Sequence, residues 1–99
     1  MNQHFSDDLL ADFAAEARER LDHLEELLLA LPRAEAGERT ALLAGVRLEL
    51  HTLKGNAGMM GLADQQVLAH DLEDKTDLID LARPEVQPLL AGVDRYRSL

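Results

Sequence analysis

Apolar residues in this chain recur at steps of three and four along four separate stretches, and this spacing constrains the fold more than any other feature. An α-helix turns by about 100° per residue, so such spacing gathers apolar side chains on one face. The longest stretch carries this pattern at Leu10, Phe13 or Ala14, Ala17, Leu21, Leu24, Leu28 and Leu31. Each stretch is therefore predicted to form an amphipathic helix that buries one face.

Capping and helix-breaking residues separate the four predicted helices. The helices are expected over residues 6–31, 38–60, 64–83 and 85–98. Ser6 and Asp64 are the predicted N-caps of the first and third helices, because their side chains can accept hydrogen bonds from unpaired backbone N–H groups. Gly61 is the predicted C-terminal cap of the second helix. Pro84 or Pro88 is expected in the first turn of the fourth.

Short connections between these helices predict an all-α domain, residues 1–99, folded as an antiparallel up-down four-helix bundle. Short links favour antiparallel neighbours, and four one-sided helices can bury their apolar faces together. The composition agrees, since 46% of residues are hydrophobic but only 3% are aromatic. Strands are usually richer in aromatic and β-branched residues.

Composition also excludes several classes of function. The net charge of −9 disfavours a nucleic-acid partner, because phosphate backbones bind basic surfaces. The sequence has no cysteine and no glycine-rich phosphate loop, so we expect neither a thiolate metal site nor a nucleotide site in this chain. No apolar run approaches the roughly 20 residues that cross a bilayer, and the N-terminus lacks the pattern of a secretory signal. A cytoplasmic location is expected.

His51 lies beside the predicted buried face of the second helix rather than on it. Its neighbours one and two turns away are Arg47, Lys54, Gly55 and Gly58. A neutral imidazole offers a lone pair, a lysine can offset the charge of a phosphoryl group, and glycines let a partner approach closely. This pattern suggests a nucleophile presented to another protein. The alternative is an ordinary surface histidine in a helix that ends at Gly55.

Polar residues on the third predicted helix extend this surface. One flank of that helix carries Gln66, His70, Glu73 and Asp77. If the second and third helices are neighbours, Glu73 can accept a hydrogen bond from one ring nitrogen of His51 and direct the other outward. His70 is expected as a further polar partner. Two other histidines, His4 and His23, lack such neighbours in the sequence and are expected to be surface residues.

The stretch "HTLKG", which contains His51, Lys54 and Gly55, resembles the histidine-containing phosphotransfer (HPt) family of four-helix bundles. The resemblance is closest to the first domain of CheA-type chemotaxis kinases, which carry a second histidine and a glutamate on the following helix, matched here by His70 and Glu73. In that group the glutamate hydrogen-bonds the phosphorylated histidine. The lysine and second histidine tune its reactivity.

The resemblance implies a function in two-component signalling. His51 would accept a phosphoryl group from the ATP-binding domain of a histidine kinase and pass it to an aspartate of a response regulator, with Arg47, Leu48, Gly55 and Gly58 bordering the docking surface. ATP and Mg²⁺ would be held by the kinase and Mg²⁺ by the receiver domain of the regulator, with no cofactor in this chain. The chain is expected to be monomeric and to be the first domain of a CheA-type kinase, so whether it counts as an enzyme is left open.

Two other functions remain compatible with these residues. A helical bundle could bind a metal ion through His51, His70, Glu73 and Asp77, because imidazole and carboxylate groups bind zinc and iron. The familiar di-iron bundles, however, repeat Glu-x-x-His in two helices, and this sequence has no such pair. The second alternative is an interaction bundle without chemistry of its own.

Overall fold

The computed structural model describes the backbone of residues 3–99 and the side chains from residue 7 onward. Four α-helices make up most of the described chain: α1 (Gln3–Ala30), α2 (Ala36–Met59), α3 (Ala63–Lys75) and α4 (Gln87–Arg97). Single 3-10 turns follow α1 at Leu31–Arg33 and α3 at Thr76–Leu78. The described residues contain no β-strand, and the all-α class is confirmed.

The helices pack as a closed ring, in which α1 contacts α2 and α4, and α3 contacts the same two helices. Across each interface between consecutive helices, the residue number rises along one helix as it falls along its neighbour, so the helices are antiparallel. The facing pairs are Arg20–Glu49 and Leu27–Gly45 between α1 and α2, Lys54–Glu73 and Gly58–Gln66 between α2 and α3, and Gln65–Tyr96 and Leu72–Gly92 between α3 and α4. The predicted antiparallel four-helix bundle is therefore the observed fold.

One apolar face of each helix forms the common core. The buried residues are Leu21, Leu24 and Leu28 of α1, Val46, Leu50 and Leu53 of α2, Ala69 and Leu72 of α3, and Leu89, Val93 and Tyr96 of α4. Burying a leucine side chain stabilises a fold by about 1.5–3 kcal/mol, so these faces hold the bundle together. On α3, Leu68 is only partly covered at the edge of this core.

The turn between α2 and α3 confirms the cap expected at Gly61. Gly61 has a positive φ of 70°, which a residue without a Cβ adopts readily. Its N–H bonds to the carbonyl of Gly58 at 3.2 Å, and the N–H of Leu62 bonds to the carbonyl of Ala57 at 2.9 Å. These two hydrogen bonds form a Schellman motif. The backbone therefore reverses sharply, which brings the next helix against α2.

The N-cap predicted at Asp64 is wrong, because the N-cap residue is Leu62, two residues earlier. The carbonyl of Leu62 already accepts the N–H of Gln66 at 3.0 Å, so α3 begins at Ala63, one residue earlier than expected. Asp64 lies inside the first turn and does not cap it. A carboxylate in that position still favours the helix, because the N-terminal end of the helix dipole is positive.

The third helix is shorter than predicted, ending at Lys75 rather than near residue 83. Beyond the 3-10 turn, other groups take the hydrogen bonds that a continuing helix would have made. The Asp80 side chain accepts the N–H of Ala82 at 2.9 Å. The guanidinium of Arg39, from α2, donates to the carbonyls of Leu81 at 2.8 Å and Ala82 at 3.2 Å. Because these bonds pair the local backbone, the segment is stable without being helical.

The remaining helix ends differ from expectation by a few residues. The first helix begins at Gln3, so Ser6 lies within it and is not its N-cap. The second begins at Ala36, two residues early. The fourth begins at Gln87, with Pro88 in its first turn as one of the two expected alternatives. None of the described helices combines the length and apolar character needed to span a membrane.

Candidate functional site

His51 projects from the exposed side of α2 and is held by one of its two ring nitrogens. Its side chain is 67% exposed, and Nδ1 lies 3.2 Å from Oε2 of Glu73 on α3. A carboxylate accepts a hydrogen bond, so this contact favours the tautomer with the proton on Nδ1. The lone pair is then on Nε2, on the far side of the ring from Glu73. The arrangement presents a nucleophilic nitrogen to the surroundings of the protein.

Both carboxylate oxygens of Glu73 are bound, Oε2 by His51 and Oε1 by Lys54. Nζ of Lys54 donates to Oε1 of Glu73 at 2.5 Å, and both side chains are about three-quarters buried, at 25% and 24% exposed. The hydrogen bond from Lys54 is the main cause that lowers the pKa of Glu73 below its ordinary value. The hydrogen bond from His51 lowers this pKa further, and partial burial opposes both. Glu73 is therefore a carboxylate near neutral pH.

Two of the other predicted residues pair with side chains other than His51. His70 is 61% exposed, with Nε2 3.5 Å from Oδ2 of Asp74 one turn along α3. Asp77 pairs with Arg47, whose guanidinium donates to Oδ1 at 3.2 Å. His70 is therefore paired within α3, and Arg47 joins α2 to the turn that follows α3.

The four ligands of the alternative metal site do not converge. Glu73 forms an ion pair with Lys54, and Asp77 forms one with Arg47. The positive charge of each partner would repel a metal ion bound at these carboxylates. Across the part of the chain that the structure describes, no group of three or more histidine, cysteine, aspartate or glutamate residues could hold a metal.

The two glycines near His51 have different surroundings. A Cβ built on Gly55 would meet no atom within 4 Å, so the surface there is open as expected. A Cβ on Gly58 would lie 2.8 Å from Nε2 of Gln66, which covers this glycine. The Gln66 side chain of α3 therefore occupies the surface at Gly58, which leaves no open space there for a partner protein. Leu48, one turn before His51, is 64% exposed, as its proposed role in docking requires.

A second imidazole–carboxylate pair, which sequence reasoning missed, lies on the opposite flank of α2. Nδ1 of His23, on α1, contacts Oε2 of Glu49, and Arg20 donates to Oε1 of the same carboxylate at 2.8 Å. His23 was expected to be a surface residue without polar company, and it is indeed 55% exposed. Its partner is 26 residues away, so only the register between α1 and α2 brings the pair together. The one sequence clue was an acidic residue at position 49, next to the buried Leu50.

Local charge distinguishes the two histidines. Around His23, the carboxylates of Glu16 and Glu19 share a shallow hollow with Glu49, and Arg20 is divided between Glu16 and Glu49. Near His51, by contrast, the carboxylates of Glu73 and Asp77 each have a cation of their own, Lys54 and Arg47. An incoming phosphoryl group is strongly negative, so the surroundings of His51 are the more favourable of the two.

Comparison with known proteins gives a family match and a similar protein. A family model described as "Hpt domain" matches residues 8–99. A protein named "Chemotaxis protein CheA" from Halobacterium salinarum (strain ATCC 29341 / DSM 671 / R1) is 41% identical over 71 residues, which cover 72% of this chain and 10% of that protein. The chain therefore spans only a small part of the length of that relative. No solved structure matches significantly.

Proposed function

Because this chain belongs to the Hpt domain family, whose members carry out histidine phosphotransfer in two-component signalling, we propose that His51 is its phosphoryl-accepting residue. The donor is the ATP-binding domain of a histidine kinase, and the acceptor is an aspartate on the receiver domain of a response regulator. The observation that carries this proposal is an exposed imidazole whose Nδ1 is held by a carboxylate, while Nε2 is directed outward.

The chemistry needs little from this chain beyond a positioned nucleophile. The lone pair of Nε2 attacks the γ-phosphorus of ATP, the bond to the β–γ bridging oxygen breaks, and ADP leaves. Formation of the N–P bond makes the ring cationic, and Glu73 offsets that charge through the proton on Nδ1. In the second step a carboxylate oxygen of the receiver attacks phosphorus, and Nε2 recovers its lone pair. ATP and Mg²⁺ belong to the kinase and Mg²⁺ to the receiver, so this chain requires no cofactor.

Leu48 and Gly55 give partners access to the ring. Leu48 supplies apolar contact area beside His51, and Gly55 lets a facing backbone approach the helix. We further infer that the chain acts as a monomeric phosphotransfer domain within a larger, cytoplasmic CheA-type kinase. The similarity to a CheA protein many times longer supports this placement.

Phosphorylation of matched histidine variants tests the proposal. The chain is incubated with a histidine kinase, γ-labelled ATP and Mg²⁺, and acid-labile, base-stable phosphate is then counted. His51→Gln should abolish labelling, whereas His23→Gln should leave it unchanged, since both changes remove an exposed imidazole that pairs with a glutamate. Full labelling of His51→Gln would refute the assignment. An absence of histidine phosphate on the unaltered chain, with several kinases and receivers, would favour the interaction bundle.

A further inference from the structure

Thr76 is a polar residue buried next to the site, and the function derived above gives it no role. Only 1% of it is exposed. Its hydroxyl donates to the backbone carbonyl oxygen of Glu73 at 2.6 Å and accepts a hydrogen bond from Nε of Arg47 at 3.1 Å. The hydroxyl therefore joins the helix that carries His51 to the backbone of the residue that holds the His51 ring.

Glu73 needs this support because it lies in the last turn of α3. The last four carbonyls of a helix have no hydrogen-bond partner within the helix, and helix ends fray for that reason. Here the helix ends at Lys75, two residues after Glu73. The backbone N–H of Thr76 and its hydroxyl both bond to the Glu73 carbonyl oxygen. This double contact restrains the backbone of a residue whose carboxylate must stay in register with Nδ1 of His51.

Arg47 turns this local contact into a link between helices. A threonine hydroxyl that bonds a carbonyl three residues earlier is common and by itself only local. Arg47, however, lies on α2 four residues before His51, so it emerges from the same side of that helix. Two cross-links, His51 to Glu73 and Arg47 to Thr76, thus fix α2 against α3 one turn apart. Together they restrain both sliding and rotation of Glu73 relative to the ring.

We propose that Thr76 is a positioning residue for phosphotransfer at His51: its hydroxyl, held by Arg47, fixes the backbone of Glu73 so that the carboxylate keeps the proton on Nδ1 and directs Nε2 outward. Thr76 acts through Glu73 and does not touch the phosphoryl group. The proposal rests on the function assigned to His51 above.

Two substitutions at this position separate the hydroxyl from the shape of the side chain. Thr76→Val keeps the branched shape and removes the hydroxyl, whereas Thr76→Ser keeps the hydroxyl. Supporting hydrogen-bond partners commonly change activity by ten- to a hundredfold, so Thr76→Val should lower the phosphorylation rate about tenfold. Thr76→Ser should stay within about twofold of the unaltered chain, because the orienting hydrogen bonds remain. Equal rates for Thr76→Val and the unaltered chain would overturn the proposal.

A remote core variant controls for a general loss of stability. Val93→Ala removes buried methyl groups from α4, which lies across the bundle and carries none of the residues of the site. It should destabilise the fold to urea while keeping the rate of the unaltered chain. If Val93→Ala slowed phosphorylation as much as Thr76→Val at similar stability, the effect would be one of folding and the positioning role would be refuted.

The tautomer of His51 provides a readout that does not depend on phosphate. In ¹⁵N spectra of the imidazole, the unaltered chain and Thr76→Ser should show the proton on Nδ1, and Thr76→Val should show a mixture of tautomers. An unchanged tautomer in Thr76→Val would contradict the proposed mechanism of positioning. Failure of the unaltered chain to accept phosphate at His51 would instead refute the function, and the spectra would still decide whether Thr76 orients the ring.

Discussion

At the scale of single residues, the site depends on how one carboxylate divides its two oxygens. Glu73 gives one oxygen to Nδ1 of His51 and the other to Lys54. Glu49 divides its oxygens in the same manner between His23 and Arg20. The pairing of histidine with glutamate therefore does not by itself single out His51. What distinguishes His51 is that each nearby carboxylate has its own cation, and that the surface at Gly55 is open.

The two glutamates provide a matched test of the orienting role. Glu73→Gln removes the charge opposite Nδ1, so the phosphorylation rate should fall about ten- to a hundredfold, the range typical when a carboxylate that orients a metal-bound histidine is lost. Glu49→Gln should leave the rate nearly unchanged. It should nevertheless lower the free energy of unfolding by about 1–3 kcal/mol, because it weakens a buried charged contact. Labelling kinetics and urea unfolding measure both effects. A normal rate in Glu73→Gln would remove Glu73 from the mechanism.

The lowered pKa of Glu73 predicts a pH-dependent contribution to stability. Since its contacts with Lys54 and His51 lower the pKa in the folded state, the unfolded chain binds the proton more tightly. The contribution is complete above the ordinary glutamate pKa of about 4.3 and is lost as the pH falls through the lower, folded value. The difference in unfolding free energy between the unaltered chain and Glu73→Gln should therefore shrink from about pH 5 to pH 3. A difference that stays constant over this range would contradict the pairing.

At the scale of helices, the sequence predicts what repeats and misses what depends on a single contact. The four apolar faces and the C-terminal cap at Gly61 could be predicted directly. Helical spacing repeats in the sequence, and a position with a positive φ favours glycine. The end of α3 could not be predicted, because it depends on Arg39 of the preceding helix, which donates hydrogen bonds to the carbonyls of Leu81 and Ala82. For the same reason the pairing of His23 with Glu49 was invisible. It depends on the register of two helices rather than on spacing within one.

His51 and Glu73 were predicted as partners from the polar flank of the third helix, and the family resemblance supported the same pair. The geometry between these two side chains agrees with that prediction. His70 pairs with Asp74 within α3, and its role as a further polar partner of the site stays a prediction.

Gly92 sets how closely α3 and α4 approach, and its substitution tests the packing. A Cβ on Gly92 would lie 2.2 Å from Cδ2 of Leu72, whose side chain is itself almost fully buried. Gly92→Ala should therefore lower the free energy of unfolding by about 1–3 kcal/mol, as overpacking of a core commonly does. Gly55→Ala is the control, because nothing surrounds it and alanine stabilises a helix interior by about 0.5–1 kcal/mol over glycine. Urea unfolding measures the free energy of unfolding of both variants. A Gly92→Ala variant as stable as the unaltered chain would contradict the close approach of α3 and α4.

At the scale of the whole molecule, the proposed function makes the bundle a scaffold that presents one nucleophile, His51, to a kinase and a response regulator. The chain has a net charge of −9, yet beside His51 the carboxylates of Glu73 and Asp77 are each paired with a cation, Lys54 and Arg47. Leu48 is exposed on the same helix, α2. The proposed docking face for a receiver domain therefore combines apolar surface with balanced charge.

Leu48 provides a test of this docking face that leaves the chemistry unchanged. Leu48→Asn should raise the KM for transfer to the receiver about tenfold, because interface residues that matter contribute more than about 1 kcal/mol. The midpoint of urea unfolding should not change, since the side chain is 64% exposed. Val67→Asn is the matched control, as Val67 is 67% exposed on α3. Similar KM values for Leu48→Asn and Val67→Asn would place the docking surface elsewhere.

The most direct test of the central claim is to identify the phosphorylated nitrogen. Phosphorylation of ¹⁵N-histidine-labelled chain, followed by ³¹P and ¹⁵N spectroscopy, reports which ring nitrogen forms the N–P bond. The account predicts a single phosphorylated histidine, His51, with phosphorus on Nε2 and the proton retained on Nδ1 beside Glu73. Phosphorus on Nδ1, or on His23 in place of His51, would contradict it.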